Sequence, residues 1–347
     1  MQIDLRKYLV CPLSQTELEF ISCREKLSQP GDQWQDGLLF SGTGWIYPVI
    51  GSIPRMSIES CIEYKEFILK NFPEHELFYR TAFKEKEALV SIALKKNYKT
   101  KNSFSFEWKN YDFEQGKTWG KEKSGILERF LIETGESLET LKGKVIFDAG
   151  AGNGHLDLIL ADEDIFVIAM DFSKSVEKIA LANKSNHLFL IEGDIQFPPI
   201  RSNSCDIIQC SGVLIHTNNT RKSFEVLTRC VKPAGKYSVW LYRIRKDKIH
   251  TFLLFVRELM KPLPLSAKIW ICRILFFPPS FLIKKMKKNK ESVTEMMTSL
   301  IDFFTPEFRW EHDKEEVKSW FVDAGFTSIA ITASDTFGYN ITGKKIK

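Results

Sequence analysis

Between residues 144 and 242 short apolar runs of β-forming residues alternate with helical stretches, and this alternation constrains the fold more than any other feature of the chain. The runs fall at 144–148, 165–171, 187–191, 205–210 and 236–242. Helical patterns at 155–161, 176–183 and 221–230 separate them, the last ended by the turn Lys232-Pro233-Ala234-Gly235. Strands that alternate with helices at this spacing predict a parallel sheet covered on both faces. Near the end, 314–324 reads as a helix stopped by Gly325, and 327–332 and 339–343 read as an antiparallel strand pair. The expected fold class is therefore α/β: a doubly wound, mostly parallel sheet of seven strands, with a small N-terminal β-rich domain and a helical insert.

The most informative local pattern is Val145-Ile146-Phe147-Asp148-Ala149-Gly150-Ala151-Gly152-Asn153-Gly154, where a buried strand gives way to a helix. Glycines at such a junction let the backbone turn sharply and approach a ligand closely. A dinucleotide fingerprint wants glycine at position 155, where this chain has His155; here the glycines fall at 150, 152 and 154, two residues after Asp148. With this D-x-G-x-G-x-G pattern, residues 145–242 resemble the class I S-adenosylmethionine-dependent methyltransferases, and most of all their small-molecule, type 11-like members with a histidine after the fourth strand.

The resemblance implies S-adenosylmethionine as cofactor. Its cationic end makes an acid beside the turn favourable, so Asp148 is expected to face the methionyl amine, with Gly150, Gly152 and Gly154 forming the turn. Asp171 ends the second strand, from where a carboxylate can accept both ribose hydroxyls; the alternative is a helix cap, for which Ser173 is better placed. Asp194 and Ile195 are implied to take the adenine amino group and the ring face, with a turn-forming aspartate as the alternative. Gln209-Cys210-Ser211-Gly212-Val213-Leu214-Ile215-His216 corresponds to the segment beneath the reacting methyl group, which places Ser211 at the cofactor. His216 is the catalytic candidate, able to orient an acceptor or take its proton, or else a packed histidine.

Residues 1–60 are expected to form the β-rich domain, from runs such as Tyr8-Leu9-Val10, Leu18-Glu19-Phe20-Ile21 and Trp45-Ile46-Tyr47. They resemble the small zinc-binding methyltransferase-activator domain. However, Cys11-Pro12 is followed by Leu13-Ser14, and Ser41-Gly42-Thr43-Gly44 stands in place of a second cysteine pair, so a tetrahedral site lacks ligands and no metal is expected. Residues 61–125 read as a helical linker, patterned over 61–101, followed by an aromatic cover containing Trp108, Tyr111 and Thr118-Trp119-Gly120. Trp108 and Tyr111 are either packing residues or a lid. The cofactor-binding core is assigned to 126–245, a basic and apolar helical insert to 246–300, and the C-terminal helix and strand pair to 301–347.

The insert is expected as helices broken at Pro262, Pro264 and Pro278-Pro279, with no piece reaching the roughly 18 residues that span a bilayer. Its aromatic and aliphatic residues beside Lys284, Lys285, Lys287 and Lys288 suit a lipophilic acceptor or contact with anionic lipid. A formal charge of +5 over 347 residues is too mild for a dedicated nucleic-acid binder. Seven dispersed cysteines without a C-x-x-C pair, and no secretory leader, point to a reducing cytoplasm. The leading expectation is methyl transfer to a small lipophilic or secondary-metabolite-like acceptor. RNA or protein methylation through the N-terminal domain, and a non-catalytic cofactor-fold module, are the alternatives. Cys210-Ser211-Gly212-Val213 is not the Asn-Pro-Pro-Tyr motif of amino-group methylation, which disfavours the former.

Overall fold

The computed structural model describes residues 4–23, 36–73, 76–109, 121–288 and 291–347, with the side chains of 77–83 and 109 left aside. Tyr111 and the Thr118-Trp119-Gly120 segment lie outside the described residues. Four short antiparallel strands, β1 (Leu18–Ser22), β2 (Gly37–Ser41), β3 (Ile46–Ile50) and β4 (Ile53–Pro54), form an N-terminal sheet. Helices α1 (Ser60–Glu63), α2 (Lys65–Asn71) and α3 (Glu76–Lys109) follow. The core comprises α4 (Lys123–Thr134), α5 (Leu138–Leu141), β5 (Val145–Ala149), α6 (His155–Asp162), β6 (Phe166–Asp171), α7 (Ser175–Ala182), β7 (Leu188–Glu192), β8 (Cys205–Ser211), α8 (Thr220–Thr228) and β9 (Val231–Tyr242). The insert consists of α9 (Lys248–Met260), α10 (Leu265–Ile271), α11 (Phe277–Met286) and α12 (Val293–Phe304), and α13 (Lys314–Asp323), β10 (Phe326–Ser334) and β11 (Gly338–Lys345) complete the chain.

The large sheet has seven strands in the order β10-β11-β9-β8-β5-β6-β7, parallel from β9 to β7 and antiparallel at β9, β11 and β10. This is the doubly wound α/β class expected from the alternation. Strands β5 and β6 are buried at every position because helices cover both faces, so they read as continuous apolar runs ending in Asp148-Ala149 and Asp171. The strand order reverses between β5 and β8, so the crevice at their carboxyl ends is where an open α/β sheet holds a ligand.

Local readings of the sequence fail in four places. Tyr8-Leu9-Val10 is no strand of the N-terminal sheet. Leu9 bridges Ile200, Val10 N–H donates to the Pro199 carbonyl and Arg201 N–H to that of Tyr8, so the core loop after β7 satisfies this backbone. Strand β9 starts at Val231 and takes in the expected turn at 232–235, with a register shift against β8 and Ala234 at φ 63° absorbing the irregularity. Helix α3 runs on to Lys109, so Phe104 to Trp108 lie on its last turns rather than in a separate segment.

The fourth concerns the insert. Pro262 and Pro264 do separate α9 from α10, but Pro278-Pro279 breaks nothing. Residues Leu265–Met286 form one 22-residue helix, long and apolar enough by length and composition to cross a membrane. A π-helical turn at Cys272–Phe276, closed by the Phe277 N–H on the Cys272 carbonyl, precedes the prolines, which stand in the first turn of α11.

The N-terminal unit is bound to the core through charge as well as apolar contact. Arg55 bridges edge-strand residue Glu192, and Met56 N–H donates to the Glu192 carbonyl at 2.7 Å. The Arg55 guanidinium meets the Glu192 carboxylate at 2.6 Å, the Tyr64 hydroxyl donates to it at 2.6 Å, and Lys101 approaches its other oxygen at 2.8 Å. All of Arg55, Lys101 and Glu192 are buried. In the N-terminal unit itself the two loops compared with cysteine knuckles do meet, but through hydroxyls. Thr43 donates to Ser14 at 3.0 Å and bonds Ser41 at 2.9 Å, while the Cys11 thiol lies 3.3 Å from the Tyr47 hydroxyl. Among the described residues no cluster of His, Cys, Asp and Glu has the makings of a metal site.

Candidate cofactor and acceptor site

The glycine turn leaves β5 and folds back onto β6. Gly150 and Ala151 N–H groups both donate to the Met170 carbonyl, at 2.8 and 3.0 Å, and Gly152 N–H donates to Asp171 Oδ2 at 2.8 Å. Gly152 (φ 57°) and Gly154 (φ 70°) occupy the left-handed region, and a Cβ on them would strike Trp108 and Ile179 respectively. The turn is thus shaped by its neighbours before any ligand is considered, and Trp108 from the end of α3 is the side chain lying over Gly152. Lys178 Nζ fixes that helix end by donating to the Trp108 carbonyl at 2.9 Å.

Carboxyls crowd around this turn. Asp148, Asp157, Asp171 and Asp194 are all buried. Burial pushes Asp148 and Asp157 above the carboxylate range, and mutual repulsion raises Asp157 further, so the pair retains a proton where an isolated aspartate would have lost it. Asp157 faces Asp148, with which it shares that proton, and among the described residues no basic side chain is paired with it. Two facing buried acids with an unmet demand for positive charge suit a cationic ligand group such as an amino acid ammonium.

Asp171 is also raised by burial, opposed by its donors: Ser173 N–H and hydroxyl bind Oδ1 at 2.8 and 2.6 Å, and Gly152 N–H binds Oδ2. Three accepted bonds leave lone-pair capacity on Oδ2 for a ligand hydroxyl. Ser173, not Asp171, accepts the Ser175 N–H where α7 begins. Asp194 bonds Gln196 N–H at 2.9 Å, so it closes a turn, with Ile195 buried beside it. Ser211, at the carboxyl end of β8, is exposed.

A second cluster lies where α3, β9 and α12 converge. His216 Nδ1 faces the Phe308 carbonyl at 2.9 Å, which assigns the proton to Nδ1, and Nε2 faces Asp302 Oδ1 at 3.4 Å. The Tyr242 hydroxyl donates to Asp302 Oδ2 at 2.6 Å. Phe104 and Tyr242 pack edge-on against the imidazole, and the Arg309 guanidinium lies 4.1 Å from the Tyr242 ring centre. Burial lowers the His216 pKa while Asp302 opposes it, so the ring is available as a neutral base.

Glu107 connects the two clusters. It is buried, its Oε2 has no hydrogen-bond partner among the described residues, and burial followed by repulsion from Asp302 and Asp171 drives its pKa well up. A folded-state pKa above the unfolded value stabilises the fold most below the unfolded pKa, and that stability is lost as pH rises through the folded value. Glu107→Gln, which cannot ionise, is therefore expected to melt several degrees higher than the parent at alkaline pH and at nearly the same temperature in mild acid. An equal difference at both pH values in thermal melts would remove the buried acid as its cause.

The structure thus brings Asp148, Asp171 and the glycines to one turn with Trp108 over it, while Asp194, Ile195 and Ser211 stand at the ends of neighbouring strands. Sequence reasoning missed Asp157, Glu107, Tyr242 and Asp302. Asp157 left a trace as an acid in the apolar run Leu156 to Leu160 of α6, and Glu107 as the one acid among Phe104, Phe106 and Trp108. Asp302 left none, because only the return of α12 brings it to His216.

Residues 147–239 match the family model described as a methyltransferase domain. Over 104 residues the chain is 30% identical to a demethylmenaquinone methyltransferase of Renibacterium salmoninarum, spanning 30% of this chain and 44% of that protein. It is 24% identical over 195 residues to one from Paenarthrobacter aurescens, spanning 56% and 66%. A ubiquinone biosynthesis O-methyltransferase of Coxiella burnetii is 30% identical over 100 residues, 28% of this chain and 43% of that one. The chain spans less than two thirds of each of these relatives. Among solved structures, magnesium protoporphyrin IX methyltransferase of Synechocystis with bound S-adenosylhomocysteine aligns at a TM-score of 0.42 and 13% identity, covering 73% of this chain and 98% of that one. The central part of the chain, residues 147–239, is thus similar to methyltransferase domains.

Proposed function

We propose that this protein is an S-adenosylmethionine-dependent methyltransferase acting on a small, lipophilic acceptor. The observation that carries the reading is the junction of the β5 glycine turn with the buried acids Asp148, Asp157 and Asp171, inside a stretch that matches a methyltransferase domain. In this reading Asp148 with Asp157 holds the ammonium group, Asp171 the ribose, and Asp194 with Ile195 and Ser211 the adenine side. The quinone-pathway names of the matching relatives, and the aromatic setting of His216 between Phe104 and Tyr242, support an apolar acceptor.

When bound, the cofactor supplies a methyl group on a positively charged sulfur, already activated for in-line displacement. The protein's task is then chiefly to hold the acceptor close and aligned. His216, oriented by the Phe308 carbonyl, takes the proton released by a hydroxyl acceptor, Asp302 beside Nε2 stabilises the charge so formed, and Trp108 covers the turn. The N-terminal unit is proposed as a metal-free relative of the activator domain that serves to pack on β7, within the domain boundaries expected from sequence. A cytoplasmic location fits seven cysteines none of which forms a disulfide among the described residues.

The test is transfer of labelled methyl from S-adenosylmethionine to lipophilic phenols and quinols, read as label entering the organic phase. His216→Asn should lower turnover about 100-fold with cofactor affinity unchanged. Saturable cofactor binding without transfer to any acceptor class, macromolecules included, would favour the non-catalytic module. Ammonium binding also displaces the proton held by the Asp148–Asp157 pair. Cofactor affinity should therefore rise as pH rises through the pair's elevated value, with proton release seen by calorimetry in buffers of different ionisation enthalpy. Affinity independent of pH would detach these acids from the ammonium site.

A further inference from the structure

Helix α12 forms the floor of the insert. Its Phe304 packs with Met260 of α9 and Cys272 of the π-turn, and Phe276 stacks on Phe304 at 4.5 Å. Helices α9 and α10–α11 thus each spend one face on α12. Their other faces are covered by nothing among the described residues. Along α9, Ile249, Phe252, Phe255 and Leu259 are exposed at helical spacing. Along α10–α11, Trp270, Ile274, Leu275, Leu282, Ile283 and Met286 are exposed, and only 17% of the most apolar stretch of this 22-residue helix is buried. A row of exposed large apolar side chains over two helices is what a soluble surface avoids, and it marks a contact site.

Charge identifies what would cover it. Residues 248–288 contain nine Lys and Arg but a single acid, Glu258, whereas the whole chain has 49 basic and 44 acidic residues, so the remainder is slightly acidic. Lys248, Arg273, Lys285, Lys287 and Lys288 are exposed and lie beside these apolar residues in the chain. Apolar rows flanked by lysines complement the acyl boundary and headgroups of an anionic bilayer, the arrangement by which amphipathic helices lie in an interface. Because α10–α11 is packed against α12 along one side, with Lys268 buried within it, the helix offers only one face to a lipid surface, which suits lying in an interface rather than crossing it.

We propose that the outer faces of α9 and α10–α11 dock the protein on an anionic phospholipid surface. None of the exposed side chains of this surface belongs to the glycine turn or to the His216 cluster, so the proposal does not depend on the methyl-transfer reading. Its test is flotation of the full-length protein with phosphatidylcholine vesicles containing phosphatidylglycerol, against phosphatidylcholine alone, at low and high salt. Flotation is expected with the anionic vesicles only and should weaken with salt. A Lys285→Glu/Lys287→Glu/Lys288→Glu variant should bind at least about tenfold more weakly, and so should Trp270→Ser/Leu275→Ser/Leu282→Ser. Quenching of tryptophan fluorescence by brominated lipid should disappear in Trp270→Phe. Thermal melts of the variants identify any that fail to fold, and the single Trp270→Phe change keeps the test available if a triple variant does.

Three results would overturn the proposal: no flotation of the folded protein, flotation indifferent to all these variants, or light scattering showing a dimer that the serine variant disperses, which would make a second copy the occupant. Resistance of membrane-bound protein to alkaline carbonate would also overturn it, by assigning Leu265–Met286 to a bilayer-spanning role.

Discussion

Asp171→Ala is expected to weaken S-adenosylmethionine binding about 100-fold or more, the loss of two charge-assisted hydrogen bonds. The carboxylate does two jobs. It accepts the Gly152 N–H, which sets the turn, and it retains lone pairs for a hydroxylated ligand. Alanine removes both and leaves the Gly152 N–H and the Ser173 hydroxyl without their acceptor. Asp171→Asn separates the two effects, since its carbonyl keeps one acceptor but loses the charge; it should retain the fold and fall between parent and alanine variant. Calorimetric titration of the three proteins checks this. Alanine and parent affinities within about threefold of each other would place the ribose elsewhere and reduce Asp171 to a turn-setting role.

The second large effect concerns stability. Arg55→Ala is expected to destabilise the protein by about 3 kcal/mol, because it strips a buried carboxylate of one partner while leaving it buried. Lys101 and Tyr64 remain on Glu192, which keeps the loss below that of a carboxylate left alone. Burial works to raise the Glu192 pKa, but Lys101 and Arg55 prevail and hold it below the usual range. A depressed folded-state pKa contributes stability that is present above the unfolded value and lost as pH falls through the folded one. Urea unfolding near neutrality should therefore separate Arg55→Ala from the parent more than unfolding in acid does. Equal midpoints at neutral pH would mean that the Arg55–Glu192 pair contributes nothing to holding β4 on β7.

How far the chain could be read depends on the range of the forces that decide each feature. The alternation of buried strands and helices, the glycine turn, and the acids at the ends of β5 and β6 were all legible, because pleat, helix period and turn chemistry are local in sequence. The readings that failed are those in which a distant partner changes what a local stretch prefers. Tyr8-Leu9-Val10 has the composition of a strand, yet the backbone at 199–201 takes its hydrogen bonds. Pro278-Pro279 is a helix breaker by local rule, but a π-turn turns it into a helix start, and the packing of Cys272 and Phe276 on α12 makes one long helix favourable.

The same division runs through the site. Asp148, Asp171 and the three glycines were fixed by position relative to two strands, so the sequence alone determined them as a group. That Trp108 lies over Gly152, that Asp157 faces Asp148, that Glu107 comes near both Asp171 and Asp302, and that Asp302 meets His216 was decided by tertiary structure. These residues come from helices separated by up to about two hundred positions in the chain, and burial of carboxyls without partners is an electrostatic property of an assembled interior that no local pattern records.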